Sequence, residues 1–297
     1  MNIYSQVSAN KWKTYLIMLF FVVFVTGIIY VFSKALGGGL SLVGIGFIIA
    51  GIISIGSYYY SDKLVLMTTG AKQIKKSDYP DYYRIVENLS IGDGLPMPRV
   101  YVVDDPSLNA FATGRDPKRA VVVATTGILE RLNKTELEGV IAHELSHIKN
   151  YDIRLGGVVA ILVGFVAIAA DFFMRSLWFR NNDSNNRNSA QAAFLIIGLI
   201  FAILSPIIAT LIQLAISRKR ELLADASGAL LTRYPEGLAD ALEKISKDPR
   251  PLRTATNATA HLFIINPFKG KSAASWFANL FNTHPPVEER IKILRSM

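Results

Sequence analysis

The sequence of 297 residues contains no cysteine and only four histidines. The absence of cysteine excludes a disulfide framework, thiolate metal sites and a cysteine nucleophile. It also agrees with a reducing compartment, in which disulfides are rare. Because histidine is so scarce, two histidines placed around one glutamate at metal-binding spacing are not expected by chance.

Acidic residues are fewer than basic ones, with 23 Asp and Glu against 32 Lys and Arg, and the formal charge is +9. A nucleic-acid partner could explain this charge, but no aromatic and basic module accompanies it. A membrane protein explains it more simply, because Lys and Arg gather beside membrane spans on the cytoplasmic side. The hydrophobic share of 51% and the positive mean hydropathy are high for a soluble enzyme. We therefore expect a membrane protein without a nucleic-acid partner.

Four apolar segments are long enough to cross a bilayer, which needs about 20 residues. They are residues 15–33, 40–60, 155–174 and 191–214. The short sequence KALGGG joins the first two, which predicts a hairpin. The first segment is predicted to be retained, because its apolar run exceeds that of a signal peptide and no small-residue cleavage site follows it. A pair of soluble core helices is the alternative for the last two segments, because Asp171 lies in one and Ser205-Pro206 interrupts the other.

The basic residues near the ends of these segments predict the orientation in the membrane. One side carries Lys11, Lys13, Lys63, Lys72, Lys75, Lys149, Arg154, Arg218, Lys219 and Arg220. The opposite side carries Lys34, Arg175, Arg180 and Arg187. This excess places both termini and both large polar segments in the cytoplasm. We expect an integral, multi-pass protein of the plasma (inner) membrane.

The polar segments differ in their predicted secondary structure. In the first, PRVYVVDD and RAVVVATTG are β-branched runs that predict strands, separated by the short apolar stretch SLNAFATGRD. A helix is predicted to start at Thr135, where Thr135 to Glu138 matches a capping box. The second polar segment, from residue 215, is predicted to be mainly helical. The predicted parts are therefore a membrane hairpin (1–60), a polar segment (61–154), a second hairpin (155–214) and a second polar segment (215–297).

The predicted helix contains the stretch GVIAHELSHIKNYD, in which His143, Glu144 and His147 have the spacing H-E-x-x-H. Histidines four residues apart lie on one helix face, where neutral imidazoles can bind zinc. A catalytic zinc keeps three protein ligands and an open position, and a neighbouring carboxylate can take a proton from water. Glu144 is placed for that role. The alternative is a surface helix with two solvated histidines.

A third ligand must come from elsewhere, and SRKRELLADASG offers Glu221 and Asp225 on another predicted helix. Such a pair usually lies on a solvated helix face. Here the surrounding residues are apolar, and the pair follows a predicted span. Because zinc-bound histidines donate their second ring N–H to a carboxylate, Glu221 as ligand and Asp225 as histidine partner would employ both groups.

These motifs, followed by NTHPPVEERI, resemble the HtpX family of membrane-embedded zinc endopeptidases, gluzincins related to the type I CAAX prenyl proteases. The resemblance covers nearly the whole chain. It implies a multi-pass α-helical membrane protein with a cytoplasmic α+β zincin-like metalloprotease domain, divided between residues 61–154 and 215–297, and one zinc ion per chain. It further implies hydrolysis of membrane or misfolded polypeptides in quality control. The implied site residues are His143, His147 and Glu221 as zinc ligands, Glu144 as general base, His284 at the oxyanion, Asp225 with Arg290 beside the ligands, and Asn109, Ala110, Phe111 and Ala112 at the substrate.

Outside the resemblance, several of these residues have simpler interpretations. His284 precedes two prolines and could cap the last helix, Arg290 could be a solvated charge, and Asn109 could belong to a turn. His261 has no motif around it. We expect Asp152, five residues after His147, to form a cap or a pair near the membrane surface and not to bind metal.

Two other functions remain open at the sequence level. A prenyl-protein processing enzyme would share the motifs but is expected to have more spans that enclose a chamber. A membrane scaffold with a structural zinc would need a fourth protein ligand, such as His261 or His284. The sequence does not indicate the oligomeric state.

Overall fold

The structure is a computed structural model that describes residues 3–35, 40–180, 218–256, 258–268 and 285–297. Elements are numbered in chain order within these ranges. The helices are α1 (Ile3–Ala35), α2 (Leu40–Thr69), α3 (Pro80–Gly92), α4 (Thr126–Arg131), α5 (Lys134–Lys149), α6 (Asp152–Arg180), α7 (Arg218–Thr232), α8 (Pro235–Lys247) and α9 (Val287–Leu294). The strands are β1 (Lys72–Gln73), β2 (Arg99–Val103), β3 (Ala110–Thr113) and β4 (Val121–Thr125). The two predicted strands are confirmed as β2 and β4, and the helices predicted after residue 215 as α7, α8 and α9.

The first two helices expose most of their apolar surface. They contain Val7–Tyr30 and Val43–Thr69, which are long and apolar enough to cross a membrane. Only 17% and 22% of their apolar windows are buried, whereas a soluble core helix would be mostly buried. The exposed apolar side chains include Leu16, Leu19, Val23, Ile48, Ile52 and Ile55. Faces of this kind fit a lipid environment.

Helix α6 contains the third predicted span and packs on these two helices. Its residues Leu155, Val158 and Leu162 are buried in a cluster with Ile17 and Phe21 of α1. The helical prediction is therefore confirmed, and the crossing of a membrane by α6 stays a prediction. The fourth predicted span, 191–214, lies outside the described residues.

The strands form one sheet in the order β1-β2-β4-β3. Strand β4 pairs in parallel with β2 and antiparallel with β3, so that β3 lies at an edge. Alternate residues of β4 face opposite sides, as the two-residue period of a strand requires. Val122 and Ala124 pack with apolar residues of α3 and α5. Val121 and Val123 pack with the end of α2, with α6 and with Phe263.

Helix α5 begins earlier than the sequence predicted. The Asn133 side chain accepts a hydrogen bond from the Glu136 backbone N–H, and the Glu136 carboxylate accepts one from the Asn133 backbone N–H. The capping box therefore starts at Asn133, and its placement at Thr135 is wrong. The physical reason is that asparagine is a stronger N-cap than threonine. The Thr135 hydroxyl donates to Asn133 Oδ1 instead, at 2.8 Å.

Two glycines bring α5 unusually close to its neighbours. A Cβ atom at Gly139 would lie 2.6 Å from the backbone nitrogen of Leu238 on α8. A Cβ atom at Gly228 of α7 would lie 3.0 Å from the backbone nitrogen of His143. Helix α7 therefore approaches the H-E-x-x-H motif backbone to backbone, which carries Glu221 and Asp225 to the histidines.

Candidate metal centre

Three side chains from α5 and α7 converge on one point. One atom each of His143, His147 and Glu221 lies within 4.8 Å of the other two. The Nε2 atoms of the histidines are 3.1 Å apart. The Glu221 carboxylate lies 3.8 Å from Nε2 of His143 and 3.5 Å from Nε2 of His147. The structure thus brings together the three ligands that the sequence predicted.

These distances suit a tetrahedral zinc ion. Zinc bonds of about 2.0–2.2 Å place tetrahedral ligand atoms about 3.3–3.6 Å apart. The 3.5 Å distance, to Oε1 of Glu221, lies in that range, and the 3.1 Å distance between the histidines and the 3.8 Å distance to Oε2 of Glu221 lie close to it. Two imidazoles and one carboxylate are also a known ligand set of catalytic zinc. Among the described residues the cluster has three ligands, which leaves a fourth position for water or substrate. The donor set therefore fits a catalytic ion better than a closed structural site.

His143 is oriented by a buried ion pair. Its Nδ1 lies 2.8 Å from Asp225 Oδ1. Arg290 donates from both Nε and an Nη atom to the same carboxylate, at 2.8 and 2.7 Å. Burial by itself would raise the pKa of Asp225, but the charge and hydrogen bonds of Arg290, with the hydrogen bond to His143, lower it to about 2. Asp225 therefore stays ionised and accepts the Nδ1 proton, which leaves Nε2 of His143 free for a metal.

His147 has its own carboxylate, which the sequence had not assigned to it. Its Nδ1 lies 3.0 Å from Oδ2 of Asp152, the first residue of α6. Burial lowers the pKa of His147, but the Asp152 hydrogen bond and the charges of Glu221, Asp152 and Glu144 outweigh burial and raise it to about 9. The expectation that Asp152 forms a cap or a pair agrees with this contact, and its place near the membrane surface stays a prediction. The sequence could have indicated this pair, because Asp152 lies five residues after His147 and begins the next helix.

Two further residues complete the surroundings of Asp152. Asn10 of α1 donates from Nδ2 to Asp152 Oδ1 at 2.7 Å. Arg220 of α7 donates to the same oxygen at 3.3 Å. Sequence reasoning missed both residues as parts of the site. No local signal could have found Asn10, since it precedes Asp152 by 142 positions.

Glu144 is buried on the same helix, beside the three ligands. Burial raises the pKa of Glu144 from 4.5 to about 7, while the charge of His147 lowers it and that of Glu221 raises it. The backbone N–H of Ala112 on the edge strand donates a hydrogen bond to this carboxylate. A carboxyl group whose pKa is near neutrality can both accept and return a proton.

A segment that we call the covering segment, residues 260–265, lies along the edge strand and over the cluster. The Ile264 N–H donates to the Ala110 carbonyl at 3.2 Å, and the Asn109 side chain donates to the Ile265 carbonyl at 3.3 Å. His261 Nε2 lies 3.0 Å from the Gly156 carbonyl oxygen. The cavity that His261 and Ile264 line together with His143, Glu144 and Glu221 has a volume of about 50 Å³. Ligand pockets of about 300–1,000 Å³ are typical, so the cavity among the described residues is small.

Only some of the predicted site residues lie at the cluster in the described part of the chain. The three predicted metal ligands lie together with Glu144, Asp225 and Arg290. Ala112 lines one cavity with Glu144 and the predicted ligands. Asn109, Ala110 and Phe111 are buried on or beside the edge strand. The assignment of Asn109 to Ala112 to substrate stays a prediction. His284 lies outside the described residues.

Known proteins were found to be similar to this chain. The profile of Peptidase family M48 matches residues 77–297. "Protease HtpX homolog" of Dictyoglomus thermophilum is 45% identical over 294 residues, which cover 99% of this chain and 94% of that protein. "Protease HtpX homolog" of Tropheryma whipplei is 46% identical over 295 residues, which cover 99% and 98%. The crystal structure of S. mikatae Ste24p matches 98% of this chain and 67% of that chain, with 14% identity and a TM-score of 0.49.

The profile covers most of the chain, and the HtpX relatives cover nearly all of it, which confirms the resemblance seen in the motifs. The two exposed apolar helices and the His–His–Glu cluster agree with this assignment. The chain therefore belongs to Peptidase family M48 and is a membrane metalloprotease.

Proposed function

We propose that the chain is a zinc endopeptidase that cleaves polypeptides at the cytoplasmic surface of the membrane. His143, His147 and Glu221 hold one zinc ion, and Glu144 is the general base. The observation that carries this proposal is the convergence of the three ligand atoms beside a buried glutamate whose pKa is raised to about 7. The relatives are proteases by name, which supports the proposal.

The bound zinc would supply Lewis-acid polarisation of the peptide carbonyl and would lower the pKa of water. The chain's own residues transfer the protons. Glu144 accepts a proton from the attacking water as the water oxygen bonds to the carbonyl carbon. It then gives that proton to the nitrogen of the departing amine as the C–N bond breaks. His284, which matches the family histidine, would donate a hydrogen bond to the developing oxyanion, a contribution often worth about 2.7–4 kcal/mol.

The substrate is proposed to bind as an extended strand along β3, from Asn109 to Ala112. The position of β3 at the edge of the sheet supports this, because a sheet edge can accept an added strand. The outward carbonyl of Ala110 already accepts the Ile264 N–H. Substrate pairing along the whole strand therefore requires the covering segment to shift. The Ala112 N–H donates to Glu144, which supports the proposal that the scissile bond lies beside Ala112.

The location of the site favours substrates near the bilayer. Helices α1 and α2 present exposed apolar faces, and α6 starts at Asp152, directly beside His147. We place both termini and the site in the cytoplasm, as the distribution of basic residues indicates. The substrates proposed are membrane or misfolded proteins, in agreement with a quality-control role.

The test is Glu144→Gln in the full chain, purified in detergent. It should retain one zinc per chain and lose cleavage of an unstructured protein, because an amide cannot accept the proton. Glu138→Gln is the matched control, since Glu138 lies on the same helix, is partly exposed and forms a long 3.9 Å ion pair with Lys134. The control should cleave like the wild type. Turnover by Glu144→Gln at the wild-type rate would refute the assignment.

The released peptides would separate the alternatives. Cleavage at internal bonds supports an endopeptidase, and products restricted to prenylated C-termini would indicate the processing enzyme. A zinc-loaded wild type without any cleavage would indicate a structural ion.

A further inference from the structure

We infer that Asn10, on the first membrane helix, is a positioning residue for the metal centre that acts on His147 through Asp152. The inference rests on the proposed zinc site. It assigns a part of that site to helix α1, which lies outside the segment 77–297 matched by the family profile.

The two oxygens of the Asp152 carboxylate contact different partners. Its Oδ2 faces His147 Nδ1 at 3.0 Å. Its Oδ1 accepts from Asn10 Nδ2 at 2.7 Å and from Arg220 at 3.3 Å. The same Asn10 amide also donates to the Asn150 carbonyl at 2.9 Å. These bonds hold the plane of the carboxylate, so that its second oxygen stays directed at the histidine.

The direction of this carboxylate decides which ring nitrogen of His147 is available. With Nδ1–H donated to Asp152, the lone pair on Nε2 points to His143 and Glu221. A carboxylate free to rotate would hold neither the ring orientation nor this tautomer. Partners of this kind around metal ligands typically change metal affinity about 10–100-fold when they are removed.

The burial of Asn10 indicates that the contact is specific. Only 1% of Asn10 is exposed, whereas Trp12, two residues later on α1, is 73% exposed. A buried amide is unfavourable unless it forms hydrogen bonds. Asn10 satisfies its donor group on Asp152 and on Asn150, and its Oδ1 lies 3.4 Å from a guanidinium nitrogen of Arg220. Three helices, α1, α6 and α7, therefore meet at this one polar contact.

The experiment measures zinc affinity of the full chain in detergent by chelator competition, together with kcat, KM and metal-free thermal unfolding. Asn10→Leu removes the amide at similar volume, and Asn10→Asp keeps the shape but turns a like charge toward Asp152. We expect both to bind zinc about 10–100-fold more weakly than the wild type. Thr14→Val is the matched control, because Thr14 is buried one turn later and its hydroxyl donates to the Asn10 carbonyl within the helix. It should bind zinc like the wild type.

The results separate a positioning role from a structural one. A lower metal-free unfolding temperature with unchanged zinc affinity in Asn10→Asp would overturn the inference, and so would an equal loss of affinity in Thr14→Val. A failure of the proposed function looks different. If the wild type bound zinc but cleaved nothing, the weaker binding of the Asn10 variants would still support the inference. If the wild type cleaved and the Asn10 variants matched its zinc affinity, the inference alone would fail.

Discussion

His143 and His147 each pair with an aspartate, but the two aspartates are held in different regions of the molecule. Asp225 is bound by both ends of the Arg290 guanidinium inside the packed core. Asp152 lies where α6 leaves that core and is held by Asn10 of a membrane helix. The side chain of His143 is 1% exposed and that of His147 is 15% exposed.

The comparison shows how one metal centre joins two parts of a chain. The His143 side depends on close packing of α5, α7 and α9. The His147 side depends on α1 and α6, which pack together through the apolar cluster around Phe21 and Leu162. A change in the arrangement of the membrane helices should therefore reach the metal through His147 first.

The largest effect is expected from Arg290→Met. The substitution leaves the Asp225 carboxylate buried without its cation, and breaking a buried pair in this way costs about 3–5 kcal/mol. The free energy of unfolding of the metal-free protein is the quantity to measure. Arg295→Met is the control, because Arg295 forms its ion pairs on the exposed surface of α8 and α9. Equal stability of the two variants would contradict the view that the His143 side is held by the buried pair.

A smaller loss is expected from Gly228→Ala, which tests the close approach of α7 to α5. The new methyl group would lie 3.0 Å from the His143 backbone nitrogen and 3.2 Å from the Ala142 carbonyl carbon. Overpacking of this kind costs about 1–3 kcal/mol. Gly56→Ala in α2 serves as the control, because nothing lies within 4 Å of its added Cβ. Unfolding measurements that show no difference between the variants would mean that α7 can move away from His143 freely.

The smallest effect is expected for the change of zinc affinity with pH, which depends on protonation of His147. The pKa of His147 is raised to about 9, and a metal ligand must be unprotonated. Zinc affinity should therefore be highest above pH 9 and should fall by up to about tenfold for each unit below it. Metal-buffered titrations between pH 6 and 9 would measure this. Asp152→Asn removes the carboxylate whose hydrogen bond and charge help to raise the pKa of His147, so zinc affinity should be weaker but less dependent on pH. A steep and unchanged pH dependence in that variant would place the proton elsewhere.

Much of the candidate site could be predicted because its residues lie in short motifs. His143, Glu144 and His147 share one face of a single helix, and Glu221 and Asp225 share one face of another. The strands β2 and β4 were visible as runs of valine. The position of the capping box was predicted wrongly, because two overlapping motifs at Asn133 and Thr135 compete and the stronger cap prevails.

The contacts that no motif predicted are long-range. Asn10 with Asp152, Ile264 with Ala110 and Asn109 with Ile265 join residues far apart in the chain. Each depends on how whole helices or segments pack, and a local pattern does not encode that packing. The covering of the edge strand by residues 260–265 likewise became visible only in the fold.

The sequence by itself determined which groups can bind the metal and take the proton, because helical periodicity fixes the direction of side chains three or four residues apart. Only the tertiary structure decided what orients those groups. The distinction follows from distance along the chain: Asn10 of α1 and Arg220 of α7 lie far from Asp152 in the sequence, and packing alone brings them to it.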